Sequence, residues 1–231
     1  MDKWKYIDIH DRNDYENEKL ITGDEVCGSF LSSPDFLNRI FELAKKNNET
    51  AIITPYLTPD TEIHFKEFLV KLPGPARIII NDFGALQFIK NSGHIPVIGR
   101  LLMRQNTDPV IMKLDIPQPL KAHFCDTPVF TNEASQLLMS GYDKMTVMMD
   151  FLPHGMPAKA PAGYDVLLNL RNVLVTVFPC NFNCCDCPGE EFLQGRTRAG
   201  VPVYQKRKLF YYKQNEIVNS AIPDYVTGLI V

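Results

Sequence analysis

The chain has no apolar run of membrane-spanning length, and no apolar leader follows its first residues, Met1-Asp2-Lys3-Trp4-Lys5-Tyr6. A membrane span is therefore not expected, and a cytoplasmic location is. It also has no basic tract long enough to track a phosphate backbone. Net charge is -3, and the densest basic run, Lys206-Arg207-Lys208, reads as a solvated surface turn. That balance argues against DNA binding while leaving a local RNA groove open. Gly-x-Ser-x-Gly and His-Glu-x-x-His are both absent, so no motif supports serine- or zinc-protease chemistry. No low-complexity segment interrupts the 231 residues, a length suited to one domain with a real apolar core.

Cysteine is the residue that stands out. Four of the six cysteines fall in Cys180-Asn-Phe-Asn-Cys184-Cys185-Asp-Cys187, and a fifth, Cys27, lies far upstream in Gly23-Asp24-Glu25-Val26-Cys27-Gly28. In a reducing compartment such a cluster points to metal ligation rather than disulfides. Cys180, Cys184 and Cys187 form C-x3-C-x2-C, a short loop able to aim three sulfurs at three corners of an iron–sulfur cubane, with Cys27 as the fourth ligand. Cys185 is an alternative to Cys184. Structural zinc is the competing metal, since four thiolates suit its tetrahedral preference. The same spacing resembles the radical S-adenosylmethionine motif. Only residues 188–231 follow it here, too few to build that barrel in its usual order, so S-adenosylmethionine is not expected.

The rest of the chain alternates strand and helix signals. Lys19–Gly23 reads as a strand, and Ser33 and Pro34 open a helix whose face is Leu37, Ile40, Phe41 and Ala44. Ala51–Pro55 is a strand, and a second helix carries Ile63, Phe65, Phe68 and Leu69 up to the break at Pro73-Gly74-Pro75. Ala76–Ile80 and Ile95–Gly99 are strands flanking a helix over Phe83–Lys90. The rhythm returns with a strand at Pro128–Phe130, a helix over Asn132–Met139 and a strand over Lys144–Met149. Two more strands fall near Asp165–Leu170 and Val173–Phe178. Residues 1–18 carry no clear period. This pattern predicts a mostly parallel α/β fold: a small, distorted or incomplete (β/α) barrel over 1–178, with a cysteine segment and C-terminal extension, 179–231, packed on it. An open doubly wound sheet is the alternative.

Asn81, Asp82 and Arg100 follow predicted strands and so belong at the ligand-bearing end of a parallel sheet. Asp82 suits orientation of a hydroxyl or acceptance of a proton, and Arg100 suits a carboxylate. The bland roles for the same residues are a helix cap and a rim ion pair. His154 in its proline-flanked loop and the run Phe210-Tyr211-Tyr212 read as structural.

Three segments resemble the peptidase U32 family, closest to its ubiquinone-biosynthesis, UbiU/UbiV-like iron–sulfur branch. They are Gly23-Asp24-Glu25-Val26-Cys27, then Asn81-Asp82-Phe83-Gly84-Ala85 with Gly99-Arg100, then Asn132-Glu133-Ala134 with Gly141 to Val147. The resemblance implies a barrel. It also implies a [4Fe–4S] cluster on Cys27 and three later cysteines, and support of an oxygen-independent hydroxylation of an aromatic substrate or RNA base. A homologous partner subunit or redox donor is implied as well. In this chain the later cysteines are compressed between Cys180 and Cys187.

Overall fold

The computed structural model describes residues 1–47, 49–108, 110–111, 114–142, 144–152, 155–177, 190–213 and 222–231. Eight parallel strands close a barrel. In chain order they are β1 (Asp2–Tyr6), β2 (Lys19–Gly23), β3 (Glu49–Ile53), β4 (Arg77–Ile80), β5 (Ile95–Ile98), β6 (Met145–Asp150), β7 (Tyr164–Asn169) and, after four strands of another sheet, β12 (Val226–Ile230). β12 lies between β7 and β1 and completes the ring. The barrel thus takes strands from both sides of residue 178.

Strand alternation explains the two cores. Trp4, Ile21, Ile53, Ile79, Val97, Met148, Leu167 and Ile230, one from each strand, form a single buried cluster, as side chains filling a barrel interior must. Their neighbours, Ile52, Ile78, Ile80, Ile98, Val147, Met149, Val166 and Leu168, belong to a second cluster outside the ring with Ile40, Phe65 and Phe68 of the surrounding helices.

The ring is complete, and the reduction is in the helices. α1 (Pro34–Lys46) follows β2 and α2 (Pro59–Lys71) follows β3. β4 leads to a 3-10 turn at Phe83–Ala85 and one turn of helix, α3 (Leu86–Ile89). β5 leads to α4 (Arg100–Met103), α5 (Gln118–Cys125), α6 (Pro128–Thr131) and α7 (Glu133–Met139). Pro34 starts α1, but the Ser33 side chain makes no capping bond. α2 instead has a reciprocal Thr58–Thr61 capping box.

Two local expectations are corrected. Pro128–Phe130 is helix rather than strand: Pro128 occupies the first helical turn, where its missing N–H costs nothing. Ile63 points to solvent at 59% exposure, while Phe65, Phe68 and Leu69 bury the working face of α2.

Between β7 and β12 the chain builds an antiparallel sheet ordered β8 (Asn172–Val177), β11 (Leu209–Lys213), β10 (Pro202–Lys206) and β9 (Phe192–Arg196). The strand expected near Val173 is therefore present but outside the barrel. This sheet caps the barrel's C-terminal mouth. Leu152 below packs with Val173 and Tyr212 above, and the Tyr212 hydroxyl donates to the Thr107 carbonyl at 3.0 Å. No helix among the described residues is long and apolar enough to cross a membrane.

Candidate functional site

Parallel strands deliver their C-terminal ends to one mouth, where loops collect polar groups. Beyond β2, Gly23 adopts φ +111, and an added Cβ would run into the Ile53 carbonyl; only glycine fits there. The turn it permits brings Asp24, Glu25 and Cys27 onto the rim. Asp24 Oδ1 accepts the amides of Val26 (2.9 Å) and Cys27 (2.8 Å).

Arg100, the first residue of α4, crosses the mouth. Its Nε and Nη2 donate to the two Glu25 oxygens at 2.6 and 2.7 Å, and its Nη1 donates to Asp150 Oδ1 at 3.0 Å and Asn172 Oδ1 at 2.6 Å. Asp150 also accepts from Asn169 Nδ2 (2.7 Å) and from the Leu174 amide (2.8 Å), so this network ties β5, β6 and β7 to the cap. All three charged groups are buried. Burial works against the Arg100 charge, but Asp150 and Glu25 outweigh it and hold its pKa above the ordinary value. The fork expected to meet a substrate carboxylate is filled by the protein's own carboxylates.

A second set of charges joins the cap to β1 and β2. Arg207 is buried rather than solvated, correcting the surface reading of Lys206-Arg207-Lys208. The β10–β11 turn aims it downward at φ 54, where Nη1 donates to Asp24 Oδ2 and Nη2 lies 3.5 Å from Asp8 Oδ1. Lys206 pairs with Asp8 at 2.6 Å.

Between barrel and cap lies a cavity of about 150 Å³. Its floor is the top of the barrel interior, including Ile21, Ile53 and Met148. Its walls include Tyr6, Glu25, Arg100, Asn169, Arg171 and Tyr211. The Arg171 guanidinium lies 3.7 Å from the Tyr6 ring centroid, a cation–π contact. Burial pushes the Tyr6 phenol up to about 12, with Arg171 partly opposing the rise. Burial, and donation to Glu191, likewise raise Tyr211.

The expected site residues divide. Arg100 lines the cavity. Asp82 does not; it caps the 3-10 turn, accepting from the Gly84 amide at 2.7 Å. Asn81 is buried beneath it and donates to the Thr54 carbonyl at 2.8 Å. Cys27 is half-buried, its sulfur 2.9 Å from the Ser29 hydroxyl. Asp24, which holds the Cys27 amide, also pairs with Arg207 and so brings a cation to this loop, a setting that fits a thiolate ligand. Cys180, Cys184, Cys185, Cys187 and His154 lie outside the described residues. Among the described residues no three His, Cys, Asp or Glu side chains converge to hold a metal. Sequence reasoning passed over Tyr6, Asp8, Glu25, Asp150, Asn169 and Arg171. A signal was available for two of them, since Asp150 directly follows a predicted strand, as Asn81 does, and Asn169 lies at the penultimate position of another. Comparisons with protein-family models, curated proteins and solved structures give no match.

Proposed function

We propose that this chain is an iron–sulfur protein of the peptidase U32 type, nearest the UbiU/UbiV-like branch. In this reading Cys27, Cys180, Cys184 and Cys187 hold a [4Fe–4S] cluster beside the mouth cavity, with Cys185 as the alternative to Cys184. The observation that carries the reading is the cavity itself. Its volume of about 150 Å³ matches a single ring, and its wall residue Glu25 stands two positions before Cys27.

The cluster supplies one-electron transfer when bound. The chain's own residues do the rest. Tyr6 and Tyr211 give the cavity aromatic faces, Arg171 offers hydrogen-bond donors, and the cap sheet covers it. Arg100 acts as an ion-paired strut that fixes Glu25 and Asp150. Asp82, outside the cavity lining, holds the neighbouring turn. The reaction is a redox step or oxygen-independent hydroxylation of a small aromatic substrate in the cytoplasm. A homologous partner subunit or redox donor serves the cluster; in the hydroxylation an oxygen donor other than O2 supplies the oxygen atom and takes up the two electrons that the substrate gives up.

Anaerobic purification with iron and acid-labile sulfide analysis tests this, read with electron paramagnetic resonance before and after reduction. About four irons and four sulfides per chain and a cluster signal are expected. Stoichiometric zinc without sulfide would replace the reading with a structural metal protein.

A further inference from the structure

The buried pair Asp24–Arg207 spans two parts of the molecule that chain connectivity keeps apart. The partners are 183 positions apart. Asp24 uses its two oxygens for different tasks: Oδ1 gathers the Val26 and Cys27 amides, and Oδ2 takes the Arg207 guanidinium. The loop carrying Cys27 is thereby fastened to the turn between β10 and β11. That turn sits where the cap sheet leads into and out of the cysteine-rich stretch, because Val177, the last residue of β8, pairs with Leu209, and Phe192, the first of β9, pairs with Gln205. Burial opposes the Arg207 charge, but Asp24 and Asp8 sustain it. A buried ion pair adds little net stability compared with apolar packing, and its best-attested use is to fix one arrangement.

We propose that Asp24 and Arg207 are positioning residues for Cys27, locking its loop to the cap. This rests on the iron–sulfur reading. Two consequences separate it from a merely structural role. The Val26 and Cys27 amides are protected by the pair, and the charge on the loop that carries Cys27 changes when the pair is altered. The net charge and hydrogen bonding around the sulfurs set a cluster's electronic properties.

The test uses full-length wild type, Arg207→Lys, Arg207→Ala and Asp24→Asn, each reconstituted anaerobically with iron and sulfide and reduced with dithionite. Asp24→Asn is nearly isosteric and keeps an acceptor for the two amides, so it remains informative if Arg207→Ala fails to fold. Hydrogen exchange at Val26 and Cys27 in Arg207→Ala is expected to quicken about tenfold while β3 to β6 keep wild-type protection. The g-values of the reduced cluster are expected to shift in Arg207→Ala and Asp24→Asn and to return toward wild type in Arg207→Lys. Unchanged exchange, or faster exchange with wild-type g-values in every variant, would overturn the positioning role. Wild-type protein that takes up no iron would instead overturn the iron–sulfur reading beneath it.

Discussion

Arg100 and Glu25 meet fork to fork across the barrel mouth, with N–O distances of 2.6 and 2.7 Å and both side chains buried. Removing one partner leaves the other charge in a low-dielectric site without compensation. Arg100→Leu strands both Glu25 and Asp150, and Glu25→Leu leaves Arg100 with Asp150 and Asn172. Each is expected to cost about 3–5 kcal/mol, with Arg100→Leu the more severe. Urea unfolding followed by circular dichroism reads the difference as a lowered midpoint. Wild-type midpoints in both would show that the network carries little of the fold.

Tyr6 links pH to stability. Its phenol is raised from the ordinary value of 10.0 to about 12 because burial disfavours the phenolate. Between these values the folded state holds a proton that the unfolded state has released, so the contribution of Tyr6 is whole below pH 10 and falls as pH rises toward 12. Tyr225, also raised to about 12 by burial, acts in the same direction. Tyr6→Phe is expected to flatten part of this alkaline loss and to remove one late phenolate transition from the near-ultraviolet titration. An unaltered titration in Tyr6→Phe would assign the late transition elsewhere.

Asp82 separates a cap from a catalyst. Its side chain satisfies the Gly84 amide, so Asp82→Ala should lose about 1 kcal/mol of stability, and Asp82→Asn, which keeps an acceptor, only a few tenths. Substrate turnover at the mouth, once an assay exists, is expected to survive Asp82→Asn. A large loss of turnover with unchanged melting would return Asp82 to the chemistry.

The cysteines make separable predictions. Cys27→Ala, Cys180→Ala and Cys187→Ala are each expected to reduce bound iron to less than about half of wild type, because a cubane needs its full ligand set to persist. Cys184→Ala and Cys185→Ala are expected to differ, the first losing iron and the second retaining it. Iron and sulfide per chain after anaerobic desalting give the answer, and the reverse order would make Cys185 the ligand. Cys125, buried at the end of α5 with its thiol raised by burial, should tolerate Cys125→Ala with iron unchanged.

Local pattern was enough for most of the elements. The face Leu37, Ile40, Phe41 and Ala44 marked α1, and the apolar runs before Thr54, Asn81 and Gly99 marked three barrel strands, because burial on a strand or helix leaves a short-range period in the chain. The strand–helix alternation likewise pointed to a parallel sheet. β1 escaped notice because its outward residues, Lys3 and Lys5, face solvent and only Trp4 is fully buried. β12 is a short terminal strand whose value lies in pairing with β1 and β7. Tertiary structure alone decided that the ring closes, that the strand after Asn172 leaves it to build a cap, and that Arg207 turns inward. The same holds for the site. Residue types at strand ends were visible in the chain, but Arg100 finds Glu25 75 positions away and Arg207 finds Asp24 183 positions away. Pairings at that range are set by how the barrel and cap enclose charge, which no local spacing records.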